Sequence, residues 1–338
     1  MLLAFEYIMV PNSIKLPNAF WLAIDKLQIS RSALIKQAEL PLAIAREDAC
    51  MKTADYFKLW QALEQIGGTD IGFKLIASMD SGNMPPSFLV AYHAKDLRDA
   101  IQRVARYKSL CTPEELYIHE TDEDLSITIE WPFEDLLAPN ALIDATLSSI
   151  LSLAREGTAT TVQASKIMLT RQEFIPNTIF AECPIQCNAG KNQIFFYQKD
   201  LALPFYRYNQ ELLKILDQAL QSELQKLSAK VTISDQVKWL LRKSLTAGRP
   251  ELRSVAKELA ISERSLQRYL KNEGESFQSL LSKTRHELAC EYLKDHRLDL
   301  GEIAYMLGYE EQASFFRFFQ EWENTTPTKW REQQFNIN

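Results

Sequence analysis

Over the first two hundred residues the spacing of apolar positions alternates between helical and strand periods. "AFWLAIDKL" (19–27), "SALIKQA" (32–38) and "TADYFKLWQALEQI" (53–66) place apolar residues three and four apart, as one face of a helix requires. Thr53 is the expected N-cap of the third, and Gly67-Gly68 its stop. Short apolar runs at 71–77, 86–92, 115–120, 124–131, 166–172 and 192–198 predict strands. A helix over 94–110, with Leu97, Ile101, Val104 and Tyr107 on its buried face, and a second over 141–156 separate them. This mixture predicts an α+β domain. Next comes a strongly helical stretch, 208–227, with leucines at 212, 213, 216, 220, 224 and 227. That stripe is wider than a coiled-coil seam. It fits packing on its own domain, or a dimer or bridging contact. Beyond about residue 230 strand-like runs stop, and the remainder predicts helices alone.

The helical remainder repeats itself. Val255-Ala256 and Leu259 open one short apolar helix, and Ile303-Ala304 and Leu307 open another. Each is followed by a turn, one residue longer in the second copy, and then a second helix. The second helices carry Ser265-Leu266-Gln267-Arg268 and Ser314-Phe315-Phe316-Arg317. In "SERSLQRYLKNEG" (262–274), Arg264, Gln267, Arg268 and Lys271 share one face, opposite Leu266, Tyr269 and Leu270. In the later copy Phe315, Phe318, Phe319 and Trp322 form the expected buried stripe, leaving Ala313, Phe316, Arg317 and Gln320 outward. Between the copies, 276–296 predicts one helix with Phe277, Leu280, Leu281, Thr284, Leu288 and Leu293 inward. The economical reading is an all-α domain of two tandem helix-turn-helix units joined by a long linker helix. About twenty residues of helix span ~30 Å, close to one turn of DNA at ~34 Å. Both second helices can then enter successive major grooves. Arginine forks onto guanine O6 and N7, and glutamine pairs with adenine. Ser262, Ser314 and the helix N-termini suit phosphate oxygens.

Residues 230–335 resemble the DNA-binding domain of AraC/XylS-type transcriptional regulators. The resemblance rests on "SVAKELAISERSLQRYLKNEGESFQSLL", "RHELACEYL" and "IAYMLGYEEQASFFRFFQEWENTTPTKWR". It implies base contacts from Arg264, Gln267 and Arg268 in the first unit and from Gln312, Ala313 and Arg317 in the second. With the neighbouring polar side chains, the candidate DNA-binding set is Ser262, Arg264, Ser265, Gln267, Arg268, Lys271, Gln312, Ala313, Ser314, Phe316 and Arg317. Phe316 departs from the family pattern, where that outward position is often smaller or polar. It suits a thymine methyl or a sugar. The N-terminal 200 residues resemble the ligand-binding and dimerisation domain of one branch of the family. That likeness runs through "IGFKLIAS", "DLRDAIQRVARYKSL" and "CPIQCNAGKNQIFFYQKDLALPF". Ten glycines in the whole chain and this many helices speak against a cupin barrel. The expected organisation is a sensor domain at 1–206, a linker helix at 207–230 and the DNA-binding domain at 231–335. The implied partners are double-stranded DNA, a small-molecule effector, RNA polymerase and a second copy of the chain.

Composition sharpens this picture only in places. The net charge is −6, but residues 230–338 hold 17 basic against 16 acidic residues. The remainder holds 21 against 28. An anionic partner therefore meets the C-terminal third, through local placement rather than bulk charge. No apolar run reaches the roughly 18 residues of a membrane span. "MLLAFEYIMV" (1–10) lacks the charged start and cleavage site of a signal peptide. Five cysteines make no disulfide framework, and a cytoplasmic protein without a membrane partner is expected.

The remaining constellations yield little. "KLQISRSALIKQAEL" (26–40) mimics a third helix-turn-helix but lacks a basic face and reads as sensor helices. Cys183 and Cys187 in "CPIQC" read as packed strand residues, with a redox pair as the alternative. His93, His119, His286 and His296 stand at no metal or triad spacing; His93 is a pocket candidate, and the last two have solvated or capping roles. No hydrolase, phosphate-loop, dinucleotide or zinc-protease motif appears, so no enzyme, metal or cofactor is expected. Phe20, Trp21, Trp60, Tyr92 and Tyr107 are candidates for lining an effector pocket. The alternative is an N-terminal domain that only dimerises. A cavity with convergent polar groups favours the sensor, and a solid core favours the alternative.

Overall fold

The computed structural model describes residues 12–46, 49–79, 84–132, 137–174, 179–228, 231–245, 248, 250–295 and 297–335. The opening stretch 1–10 and His296, both read above, lie outside the described residues. The chain divides into two compact units, Met1–Ser228 and Ala229–Asn338.

The first unit opens with helices α1 (Asn18–Lys26), α2 (Arg31–Gln37), α3 (Thr53–Gly67), α4 (Ile71–Ala77) and α5 (Pro86–Ala91). A two-stranded antiparallel ribbon, β1 (Ile14–Lys15) and β2 (Cys50–Met51), is threaded among them. After α6 (Leu97–Tyr107) come β3 (Glu115–Glu120), β4 (Asp124–Glu130), α7 (Asn140–Thr158), β5 (Lys166–Met168), β6 (Ile185–Gln186), β7 (Asn192–Tyr197), α8 (Gln198–Leu201) and α9 (Gln210–Ser228). The five later strands form one sheet in the order β3-β4-β7-β5-β6, antiparallel except for β5 beside β6.

Helix α7 is the shared wall of this unit. Ala141, Leu142 and Ala145 join the core of the N-terminal helices. Ile143, Leu147, Ile150, Leu151 and Leu153 join the core over the sheet. A helix packed on both sides is apolar nearly all round, and its one carboxylate in mid-helix needs a partner. Asp144, 1% exposed, receives two hydrogen bonds from the Arg171 guanidinium, at 2.6 and 3.0 Å. Burial nevertheless pushes the Asp144 carboxyl up to about 6, against the lowering effect of Arg171.

Two of the expected strands are helices. Residues 71–77 and 86–92 fold as α4 and α5. Short apolar runs do not separate a buried helix from a buried strand by periodicity alone. Local chemistry favours helix at α5, and packing accommodates it at α4. Pro86 occupies the first turn of α5, where proline is pre-set for helix. Gly72 lets α4 lie directly on α7, since a Cβ there would sit 2.2 Å from the Ala141 carbonyl oxygen. Thr53 is also not a cap. It is the first helical residue of α3, and the Asn12 side chain accepts hydrogen bonds from its N–H (2.9 Å) and hydroxyl (2.8 Å). The strand expected over 166–172 keeps only Lys166–Met168.

Helix α9 packs within the first unit. Leu213 and Leu224 are buried with Val90 and Tyr107, while Leu216, Leu220 and Leu227 are half-buried against them. Arg103 donates to both carboxylate oxygens of Asp217 at 2.7 Å, and the Tyr107 hydroxyl donates to one of them at 3.0 Å.

The second unit is helical throughout its described residues. Helices α10 (Ile233–Leu245), α11 (Leu252–Glu258), α12 (Glu263–Asn272), α13 (Phe277–Tyr292), α14 (Leu300–Met306), α15 (Gln312–Glu323) and α16 (Pro327–Phe335) surround one core. Phe277, Leu280, Leu281, Thr284, Leu288 and Leu293 are all buried, as their spacing predicts. Helix α13 has 16 residues, about 24 Å, rather than the expected twenty-one of 276–296. Its end is held from outside: Arg331 on α16 donates to the carbonyls of Leu293 (3.1 Å) and Leu298 (2.9 Å). Arg242 on α10 pairs with Glu287 and Glu291 on α13, both at 3.2 Å.

Replacing Gly72 by alanine puts a methyl against the backbone of α7, where nothing flexible can yield. Gly72→Ala should lower the stability of the first unit by about 1–3 kcal/mol, read as a shift in its urea midpoint. An unchanged midpoint would contradict the close α4–α7 contact.

Candidate nucleic-acid interface

Two helix pairs carry the expected DNA-contacting residues. In the first, α11 meets α12 through a turn in which Ala260 takes a left-handed φ of 53°. In the second, α14 meets α15 through Gly308 at φ 71°. Arg285 of α13 fixes that second turn. Its guanidinium donates to the carbonyls of Leu307 (2.9 Å) and Gly308 (3.2 Å) and lies 4.6 Å from the centre of the Tyr309 ring. A Cβ at Gly308 would meet the same guanidinium at 3.3 Å.

Helix α12 is anchored by Leu266 and Leu270, both fully buried. Arg264, Gln267, Arg268 and Lys271 are all exposed, as expected from their common face. None of Arg264, Arg268 and Lys271 has a carboxylate at ion-pairing distance among the described residues. Arg268 lies 5.2 Å over the Tyr269 ring, which is partly exposed rather than buried with the leucines. Glu263 opens α12 at the edge of this face, exposed and beyond ion-pairing distance of the three cations, and two further carboxylates beyond the helix end are engaged elsewhere. Glu273 accepts from the N–H groups of Ile233 (2.9 Å) and Ser234 (2.8 Å) at the start of α10. Glu275 binds Lys283 at 2.6 Å. The Lys283 and Ser279 hydrogen bonds hold its carboxyl below the usual range. Ser262 caps α12, accepting from Ser265 N–H at 3.1 Å and donating to the Ser265 hydroxyl at 2.9 Å.

Helix α15 is anchored by Phe315 and Phe319, again fully buried. Gln312, Ala313 and Arg317 are exposed, and Ser314 is half-buried with its hydroxyl 3.3 Å from Arg317. Phe316, expected outward, is half-buried and meets Phe315 edge to face with ring centres 5.9 Å apart. Phe318 is only half-buried and Trp322 is exposed, so the expected aromatic stripe is narrower. Trp322 turns toward α13 and stacks on His286 at 4.5 Å.

The first unit holds a cavity of about 90 Å³ among α1, α3, α4, α5 and α7. Its walls are mostly apolar and include Phe20, Trp60 and Phe88. Of the five aromatic candidates, Phe20 and Trp60 line it; Trp21, Tyr92 and Tyr107 are buried elsewhere. Lys108, Thr112, Thr146 and Ser149 give one polar side. Lys108 forms an ion pair with Glu114, which is 1% exposed and accepts from the Thr146 hydroxyl at 2.8 Å. Lys108 also donates to Thr112 at 3.1 Å. His93 lies outside this cavity, with Nδ1 3.1 Å from the Arg207 carbonyl oxygen. Burial pushes the half-buried Cys183 thiol up to about 11, so it is a poor thiolate. Sequence spacing identified neither the Lys108–Glu114 pair nor the Arg285 clasp, because their partners lie across turns and helices that no local pattern connects.

Two family models match the chain, one within each compact unit. Residues 29–205 match the model of the arabinose-binding domain of AraC transcription regulators, and residues 255–333 match a helix-turn-helix domain. The chain is 23% identical over 306 residues to the HTH-type transcriptional regulator VirS of Mycobacterium tuberculosis, covering 88% of this chain and 89% of that one. It is 40% identical over 83 residues to the ornithine utilization regulator of Pseudomonas aeruginosa, covering 25% of this chain and 24% of that protein. The crystal structure of the regulator CdpR from Pseudomonas aeruginosa aligns over 93% of this chain and 97% of its own, at 16% identity and a TM-score of 0.44. With the arabinose-binding-domain model alone matching more than half of its residues, the chain belongs to the AraC family of DNA-binding transcriptional regulators.

Proposed function

We propose that the chain is a sequence-specific, effector-controlled regulator whose α11–α12 and α14–α15 pairs act as tandem helix-turn-helix units on duplex DNA. The observation that carries this reading is the exposed face of α12, whose Arg264, Arg268 and Lys271 have no carboxylate at ion-pairing distance among the described residues, set on a fully buried leucine pair. Arg264, Gln267 and Arg268 read base edges in one major groove, with Lys271, Ser265 and Ser262 toward the backbone. Gln312, Ala313 and Arg317 read a second groove, Ser314 approaches phosphate, and Phe316 supplies an apolar edge. Residues 231–335 are the DNA-binding part, 1–206 the sensor and 207–230 the element between. The protein acts in the cytoplasm as a homodimer.

The effector enters the cavity of the first unit. The charge of Lys108 is neutralised by buried Glu114, so the polar side suits hydrogen bonding to an uncharged molecule with an apolar body. A volume of about 90 Å³ is smaller than the roughly 150 Å³ that holds benzene. A larger effector must therefore move a wall. Helix α5 is that wall: Phe88 lines the cavity, and Val90 packs on Leu213 and Leu224 of α9. The turn Lys108–Leu110 has the same double role, with Lys108 on the cavity and Leu110 on α9. Effector binding biases the seating of α9, the coupling a two-state regulator requires.

Arg268→Ala should weaken binding to a duplex selected by the full-length protein by about 1–3 kcal/mol and relax preference at one base pair. Fluorescence anisotropy on the selected site and its single-base variants measures both. Unchanged affinity and specificity would remove α12 from the groove. A second expectation concerns the sensor. In a thermal-shift screen of the full chain, small uncharged apolar metabolites should raise the melting point, and Phe88→Trp, which fills the cavity, should abolish the rise. Sedimentation at micromolar concentration should give a dimer. No stabilising compound in the screen argues for the dimerisation-only regulator, and a monomer at every concentration argues against the homodimer.

A further inference from the structure

Between α13 and α15, away from the faces discussed so far, three metal-binding side chains converge. His286 and Cys290 stand four residues apart on α13, so both project from the same side of that helix. Glu323 ends α15 opposite them. Glu323 Oε1 lies 2.6 Å from His286 Nε2, and Cys290 Sγ lies 3.6 Å from His286 Nε2 and 3.9 Å from Glu323 Oε1. Among the described residues this is the one place where three such donors meet. We propose that His286, Cys290 and Glu323 form a binding site for a borderline divalent transition-metal ion of the zinc class, clamping α15 to α13.

The geometry suits that ion. Zinc bonds of about 2.0–2.3 Å at tetrahedral angles hold donors roughly 3.3–3.7 Å apart. Both distances to the sulfur are already close to this spacing. The His–Glu edge must open by about 0.7 Å, within the freedom of a glutamate side chain. One nitrogen, one thiolate and one carboxylate oxygen select zinc or cobalt over magnesium or calcium, which take oxygen ligands. Three protein ligands leave a fourth position for water. His286 and Glu323 side chains are 21% and 28% exposed, so an ion can reach them.

The surroundings are those of ligands held in place. The Trp330 indole N–H donates to the other Glu323 oxygen at 3.2 Å, leaving Oε1 directed at His286. Trp322 stacks on the imidazole at 4.5 Å and fixes its plane. Such outer contacts orient metal ligands. A carboxylate at the C-terminal end of a helix is unfavourable to the helix dipole unless a cation meets it. Binding exchanges the thiol proton of Cys290, released to solvent, for a metal–sulfur bond. Because α15 also carries Gln312, Ala313 and Arg317, the ion would fix the helix that presents them.

Cobalt(II) chloride titrated into the reduced full-length protein tests the site, since a cobalt–thiolate complex shows a charge-transfer absorption and tetrahedral visible bands. The proposal expects both bands to saturate at about one equivalent and to vanish on addition of zinc. Cys290→Ser should abolish the charge-transfer band. Glu323→Gln, which keeps an acceptor for Trp330, should weaken cobalt binding at least tenfold, by analogy with the 10–100-fold losses seen even for outer-shell changes. Thermal melts of both variants verify that they fold, and Glu323→Gln decides alone if Cys290→Ser does not. Absence of the bands in the unmodified chain, or bands unchanged in both variants, would overturn the proposal.

Discussion

A helix that reads a groove must be held rigidly on one face and left unpaired on the other, and the second unit is arranged around that constraint. On α12 the hold comes from Leu266 and Leu270, both fully buried. Burial of such side chains contributes about 1.5–3 kcal/mol each. Against this stand two like-charge neighbours, Arg264 with Arg268 and Arg268 with Lys271, at helical spacings that destabilise by roughly 0.2–0.5 kcal/mol each. Packing wins by a wide margin, so the fold tolerates a cationic face with no carboxylate at ion-pairing distance among the described residues. Phe315 and Phe319 play the leucines' part on α15. There the outward face is less basic, with Arg317 as its one cation and the half-buried Phe316 beside it. The two helices therefore differ in kind: α12 is suited to strong polar contacts, α15 to a mixture of polar and apolar ones.

The same logic of shared surfaces governs the first unit. Helix α7 serves two cores at once, and α5 serves a cavity on one side and α9 on the other. Because protein interiors are close-packed, displacement of such a helix is felt on both faces. The Arg103–Asp217–Tyr107 contacts give α9 a directional attachment beside the apolar one. Helix α5 and the turn Lys108–Leu110 thus stand between the cavity and α9 and touch both.

The sequence made some of this legible and not the rest, for physical reasons. Amphipathic helices announced themselves: Leu97, Ile101, Val104 and Tyr107 on α6, and the α12 face, lie where their spacing put them. Helices buried on several sides did not. Residues 71–77 and 86–92 lack a polar face, so period carried no information, and only Pro86 marked a helix start. Capping roles taken up across the fold were invisible as well. Asn12 serves α3 from 41 residues away, Arg285 serves the turn after α14, and Arg331 the end of α13. His286 illustrates the limit for chemistry. Its spacing to Cys290 is readable, but Glu323 joins them only through the packing of α15 on α13.

The central claim is that both α12 and α15 lie in major grooves of one duplex. Methylation interference at guanine N7 measures this directly, because N7 faces the major groove alone. On duplexes selected from a random library by the full-length protein, two clusters of interfering guanines are expected, centred about one helical turn, roughly 10 base pairs, apart on one face of the DNA. The cluster read by α12 should be the stronger. A single cluster, or no interfering guanine at all, would contradict the account.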